Sequence, residues 1–115
     1  MTHDMKLQAK YFDYILHGTK RVELRLSDEK RKLIKVGDVL KFSKLPALTE
    51  SFEAKVIGLL NYSSFTELFK DFDISILADS SMTKDELLNV LEEFYTPEKQ
   101  LEFGVLGIRL EVLNV

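Results

Sequence analysis

The amino-acid sequence predicts an α+β domain whose mostly antiparallel sheet curls around the core. Three observations carry that expectation. Alternating apolar residues mark strands near 20–26, 52–60 and 104–113. Apolar residues at helical spacing follow two capping boxes, Ser64 with Glu67 and Thr83 with Glu86. The resulting order, β-α-β-β-β-α-α-β, lacks the regular βαβ rhythm that builds a parallel sheet.

The elements follow in chain order. Residues 5–7 form a short first strand. Phe12, Ile15 and Leu16 give residues 9–17 a helical face, and Gly18 stands where a left-handed helix cap is usual. In the 20–26 strand Val22, Leu24 and Leu26 point one way and Arg21, Glu23 and Arg25 the other, the pattern of a half-buried strand. A charged connector, 27–35, leads to a turn at Val36-Gly37-Asp38 and a strand over 39–43. Pro46 marks a loop before the 52–60 strand. The helix opened by Ser64 buries Phe65, Leu68, Phe69 and Phe72. The helix opened by Thr83 runs to about Tyr95, with Leu87, Leu88, Leu91 and Phe94 inward, and Pro97 stops it. In the last strand Leu106, Ile108, Leu110 and Val112 make one apolar face.

At 115 residues the chain suits a single domain, 1–115, with one core and little room for a second. It has no cysteine, which excludes disulfides, thiolate zinc sites and cysteine nucleophiles. The first residues lack the apolar run of a secretory signal, and no apolar run approaches the roughly 20 residues of a membrane helix. A cytoplasmic protein with no membrane association is the expectation. The net charge of −3 hides an asymmetry. Residues 1–60 hold 12 Lys and Arg against 8 Asp and Glu, whereas residues 61–115 hold 4 against 11. The basic excess, densest over 20–44, suits a local phosphate-attracting patch as well as a solvated surface of mixed charge.

The polar face of the 20–26 strand concentrates the chemistry. Glu23 and Arg25 are two apart and stand side by side. In a groove the carboxylate orients the guanidinium, which then offers a planar fork to a phosphate or a base edge. On a surface the same pair is a cross-strand ion pair worth little. Lys20 has the parity of the apolar face and joins Glu23 only if the chain twists or bulges after Gly18. Tyr11, Tyr14, Tyr62 and Tyr95 are candidate stacking residues or tyrosines at the edge of the core. His3 and His17 fit no metal spacing, and His17 near a helix C-terminus is expected to meet its carbonyls. Asp71, Asp73 and Asp79 lack the glycine-bearing calcium-loop pattern and read as an acidic loop. No metal and no cofactor are implied.

The stretch from Phe12 to Arg25, with Gly18, Lys20, Glu23 and Arg25 in the pattern G-x-K-x-x-E-x-R, resembles the signature of the ASCH domain, the activating signal cointegrator homology domain. Ile34-Lys-Val-Gly37-Asp38, Phe94-Tyr95 and Gly104-Val-Leu-Gly-Ile108 resemble later family motifs, so the resemblance covers almost the whole chain. It implies a PUA-like β-barrel with flanking helices and a polar cleft lined by Lys20, Glu23 and Arg25, with Tyr95 beside them. It also implies an RNA, nucleotide or nucleoside ligand. Some small ASCH proteins are amidohydrolases of acetylated cytidine. Their lysine corresponds to Lys20, but Glu23 stands where they have a threonine nucleophile and Ser80 where they have an acid, with Asp79 adjacent. Others are ribonucleases, for which Glu23 would be the base and Lys20 and Arg25 the charge stabilisers. A protein-interaction module is the third expectation.

Overall fold

The computed structural model describes residues 1–113. The elements run β1 (Thr2–Leu7), α1 (Ala9–Leu16), β2 (Val22–Leu26), a 3-10 turn at Arg31–Leu33, β3 (Val39–Lys44), β4 (Ser51–Tyr62), α2 (Phe65–Asp71), α3 (Ile74–Leu77), α4 (Lys84–Phe94), α5 (Pro97–Phe103) and β5 (Val105–Val112). Among the described residues no helix is long and apolar enough to cross a membrane.

The five strands form one mixed sheet in the order β1-β3-β4-β5-β2. The pairs β3/β4, β4/β5 and β2/β5 are antiparallel and β1/β3 is parallel. The α+β class and the mostly antiparallel pairing hold, but the expected β-barrel is a half-barrel. Its open seam lies between β1 and β2, and local bonding explains why no ladder joins them. Odd-numbered residues of β2 pair with β5, as Leu110 N–H on Arg21 O and Ser27 N–H on Gly104 O show. The even-numbered backbone groups therefore face the seam, where side chains occupy them. Glu23 Oε1 accepts from Leu24 N–H at 3.0 Å, and Lys20 Nζ donates to Val22 O at 2.6 Å. Arg25 Nη2 then spans the seam to Lys6 O at 3.1 Å. A side chain, not a backbone ladder, ties the two edges.

Each sheet face carries its own apolar cluster, so the expectation of one core is corrected. On the α1 side, Phe12 and Ile15 pack with Met5, Leu40, Phe42, Val56, Leu106 and Ile108. On the other side, Phe65, Leu68, Phe69, Leu77 and Leu87 pack on Val22, Leu24 and Val105. The two-sided covering buries β2 on both faces, where alternation predicts a half-buried strand. Helix α2 sits close because residue 107 is glycine: a Cβ there would meet Leu68 Cδ1 at 3.1 Å and Val22 Cγ1 at 3.2 Å.

Two helices escape sequence reading. Helix α3 is a single turn capped by Asp73. Helix α5 begins at the proline read as a stop. Pro97 ends α4 and opens α5 at its first turn, where a missing N–H costs nothing, behind the Thr96 cap. Ser64 and Thr83 both cap helices at the expected residues, and the reciprocal bonds of a capping box form between Thr83 and Glu86. Leu16, expected on the apolar side, is 40% exposed. The Gly37-Asp38 turn is a structural clasp: Gly37 adopts φ +97°, and the Asp38 carboxylate pairs with His3 Nε2 at 2.8 Å and accepts from Lys35 N–H at 3.0 Å. His3, then the Lys35 N–H, hold that carboxyl down at about 2.

Candidate functional site

The site starts at the end of α1. Gly18 takes φ +82°, and the Thr19 and Lys20 N–H groups both turn back to Tyr14 O, at 2.9 and 3.0 Å. Arg21 N–H then bonds Ile76 O at 2.7 Å, and regular pairing begins at Val22. This bend supplies the twist that Lys20 needs to overcome its parity. Its ammonium lies 3.7 Å from Glu23 Oε1.

Lys20 is 3% exposed and Glu23 5% exposed, so the alternative of a surface ion pair is overturned. Glu23 shares its sheet face with Ile108, its register partner, and points into the α1 side of the half-barrel. Its Oε2 accepts from Arg25 Nε at 3.0 Å and lies 2.9 Å from Arg25 Nη2. Burial works against the ionised carboxyl, but Arg25 and then Lys20 outweigh it and hold the group below the usual carboxylate range. Burial likewise opposes the charge on Arg25, and Glu23 first, then Tyr95, reverse the effect and raise it. For Lys20 burial wins over the help of Glu23, and the ammonium is pulled down to about 8.

The three side chains differ in what they leave for a ligand. Lys20 Nζ donates to Val22 O and Leu77 O, both at 2.6 Å, and faces Glu23 with its remaining direction. It therefore ties β2 to α3 and compensates Glu23. Arg25 is held from two sides, through Nε and Nη2 by Glu23 and through Nη2 by Lys6 O, so one full edge of its guanidinium is engaged at the seam.

The seam is concave. A cleft of about 190 Å³ is lined by Lys6, Gln8, Tyr11, Lys20, Glu23, Leu24 and Arg25 on the sheet and α1 side. Leu87, Val90, Leu91, Phe94 and Tyr95 form the α4 wall. Lys20, Glu23, Arg25 and Tyr95 thus converge. Of the other tyrosines, Tyr11 lines the cleft with its ring 6.0 Å from the Lys20 ammonium. Tyr14 packs edge-on to Tyr11, and Tyr62 donates instead to Asp71 at 2.6 Å. Phe94, expected inward, is 53% exposed at the cleft wall. Its helical phase places it there, but periodicity cannot tell a core face from a cleft face.

Gln100 lies on α5, a helix too short to carry a periodic signal in the sequence. It is 4% exposed. Its amide nitrogen donates to Tyr95 O at 2.9 Å and Glu92 Oε2 at 3.1 Å, and its oxygen accepts from Phe65 N–H at 3.1 Å. It fixes the end of α4, and with it Tyr95, on α2. Asp73 and Asp79 are spent on the Ser75 and Ser81 N–H groups. Among the described residues no three His, Cys, Asp or Glu side chains converge as a metal site.

The comparisons agree with this architecture. The family model described as ASCH domain matches residues 5–113. No curated protein matches the chain. Among solved structures, hypothetical protein PH0355 is 34% identical with a TM-score of 0.86, over 98% of this chain and 100% of that one. Protein PF0455 from Pyrococcus furiosus is 30% identical with a TM-score of 0.79, over the full length of both. A ZmASCH mutant protein from Zymomonas mobilis shares the fold at 10% identity, with a TM-score of 0.68 over 98% of this chain and 73% of that one. On a match that spans both apolar clusters and every side chain of the seam, this chain belongs to the ASCH domain family.

Proposed function

We propose that the seam cleft binds a nucleobase-bearing ligand, an RNA nucleotide or a free nucleotide, with Arg25 as the positioned cation and Tyr95, Tyr11 and Phe94 as the aromatic surfaces around the base. The observation that carries this reading is the convergence of a guanidinium, fixed by Glu23 and Lys6 O, with three aromatic rings in one concave seam. Single-stranded recognition combines stacking surfaces with positive charge. At about 190 Å³ the cleft is smaller than pockets for drug-sized molecules, roughly 300–1,000 Å³, which suits one base rather than several.

The test is titration of short single-stranded RNA and of mononucleotides into the wild type and Arg25→Ala, with folding verified by circular dichroism. Weaker binding in the variant and weakening with rising salt are expected. Equal affinity for folded wild type and variant would refute the role of Arg25.

A second reading is hydrolysis, favoured by one observation: Lys20, drawn down to about 8 by burial, stands 3.7 Å from the Glu23 carboxylate. A buried group titrating near neutral pH beside a charged partner suits proton transfer. Within this reading ribonuclease chemistry fits better than the acetylcytidine amidase. No Ser, Thr or Cys is among the residues lining the cleft, Ser80 is not one of them, and Asp79 is engaged with Ser81. Loss of RNA cleavage in Glu23→Gln, with binding retained, would support catalysis over plain binding.

A further inference from the structure

We propose that the open end of β5 docks an extended peptide segment of a partner protein, which adds beside Leu110–Val112 as a short strand and sets an acidic side chain on Arg21. Strand β5 outruns its neighbour. Its ladder with β2 ends where Val22 pairs with Arg109 and Leu110 N–H bonds Arg21 O at 3.0 Å. The return bond of that last pair is missing, because the chain bends there and Arg21 N–H turns to Ile76 O at 2.7 Å. Leu110 O is left with no backbone partner among the described residues.

Parity shows where the next groups point. Leu113 N–H bonds Glu53 O of β4 at 3.0 Å, so the odd-numbered backbone groups at this end face β4. Val112 N–H and Val112 O face the other way, toward the side that β2 has left. An edge of acceptor, donor and acceptor thus opens on a depression of about 440 Å³, which residues 110–112 line together with Arg21 and the end of α1. The seam is finished differently. There Lys20 and Glu23 fill the edge of β2 with side-chain bonds, whereas among the described residues no side chain bonds Leu110 O, Val112 N–H or Val112 O.

The surroundings select the occupant. An extended peptide presents a matching N–H and C=O on every second residue, and strand addition draws its affinity from such bonds. Its alternate side chains meet apolar surface: Leu16 and Ile57, both in the lining, are 40% and 46% exposed. Arg21 stands at the head of the edge as the register partner of Leu110. It is exposed, its Nε reaches Gly18 O at 3.5 Å, and it joins no ion pair among the described residues. Its Nη groups therefore remain for a carboxylate. Glu111 does not compete for them, because its side chain leaves the face opposite to that of Leu110 and Val112 and stands across from Lys55.

The experiment is nuclear magnetic resonance titration of the full chain with the peptide Ac-Thr-Val-Asp-Val-Thr-NH₂. A generic sequence serves because the recognised groups are main chain and one carboxylate. The Val112 amide and the Arg21 side-chain Nε signals are expected to shift, and hydrogen exchange at Val112 to slow. Of two versions N-methylated on alternate amides, one should lose binding and the other keep it, the phase that a strand ladder imposes. Replacing Asp by Asn in the peptide should weaken binding about two- to fivefold in the wild type and not at all in Arg21→Gln. Val112→Pro removes a donor that no ladder bond of the fold uses and should abolish the shifts; if that variant does not fold, the methylated pair decides. Peptide shifts that miss Val112, or equal behaviour of the two methylated versions, overturn the docking edge. Equal affinity of wild type for the Asp and Asn peptides, or a preference kept in Arg21→Gln, overturns the role of Arg21. A single-stranded RNA hexamer that moves Val112 and Arg21 where the peptide does not assigns the depression to nucleic acid and overturns the proposal.

Discussion

Glu23→Gln tests the central electrostatic arrangement most directly. The Glu23 side chain is 6% exposed and is the one anion between a buried cation, Lys20 at 3.7 Å, and a partly buried one, Arg25 at 2.9 Å. Glutamine keeps the volume and one acceptor for the Leu24 N–H. Its amide NH₂ must then face a guanidinium or an ammonium. The seam goes from one net positive charge to two, with no anion to hold them. Breaking a buried pair by removing one partner costs about 3–5 kcal/mol. For a chain of this size each kcal/mol moves Tm by about 4 °C, so a fall of about 10–20 °C is expected in calorimetry at pH 7. The effect has a pH signature. Glu23's folded carboxyl is held below its ordinary value, so its contribution is present at neutral pH and disappears as pH falls through the folded value. The gap between wild type and variant should close in acid. Adding Lys20→Met to Glu23→Gln removes one orphaned cation and should show a coupling of about 1–3 kcal/mol. A Tm change below about 4 °C would place the pair in the range of solvated surface ion pairs and refute the reasoning.

Other consequences can be checked in the same way. Lys20 titrates at about 8 in the folded chain against 10.5 when unfolded, so between those values the unfolded state holds the extra proton and stability rises with pH. Wild type should therefore gain up to about 3 kcal/mol relative to Lys20→Met across that window in urea titrations; a flat difference would show that Lys20 is solvated. Gln100→Leu orphans the Phe65 N–H and the Tyr95 carbonyl and should cost about 2–4 kcal/mol, with a shift of the Tyr95 ring signals that a purely local loss would not produce. Gly104→Ala and Gly18→Ala both face positive φ, but Gly104 also has ψ 174° and a Cβ there would meet Tyr62 O at 3.3 Å. Gly104→Ala should cost about 1–3 kcal/mol and exceed Gly18→Ala, whose Cβ meets nothing within 4 Å; the reverse order in urea midpoints would contradict the backbone argument.

Local signals were legible wherever one segment carries its own physics. The caps at Ser64 and Thr83, the left-handed Gly18 and the apolar face of Leu106, Ile108 and Leu110 in β5 each depend on neighbours a few residues away. The short α3 and α5 were not legible, because a single turn has no periodicity and Pro97 serves one helix while ending another. Phe94 lies at the exposed cleft wall because helical phase identifies an apolar face without saying what covers it.

By itself the sequence determined the α+β class and the family, and it set Gly18, Lys20, Glu23 and Arg25 within eight positions of one another. The tertiary structure alone decided that the barrel stays open and that Glu23 is buried on a strand covered on both faces. It also decided that Lys20 spends its donors on Val22 O and Leu77 O while Arg25 bridges to Lys6 O. The physical reason is range: capping, turns and alternation are set by chemistry along the chain. Desolvation, seam closure and the identity of a hydrogen-bond partner 19 or 57 residues away are set by what folding brings alongside.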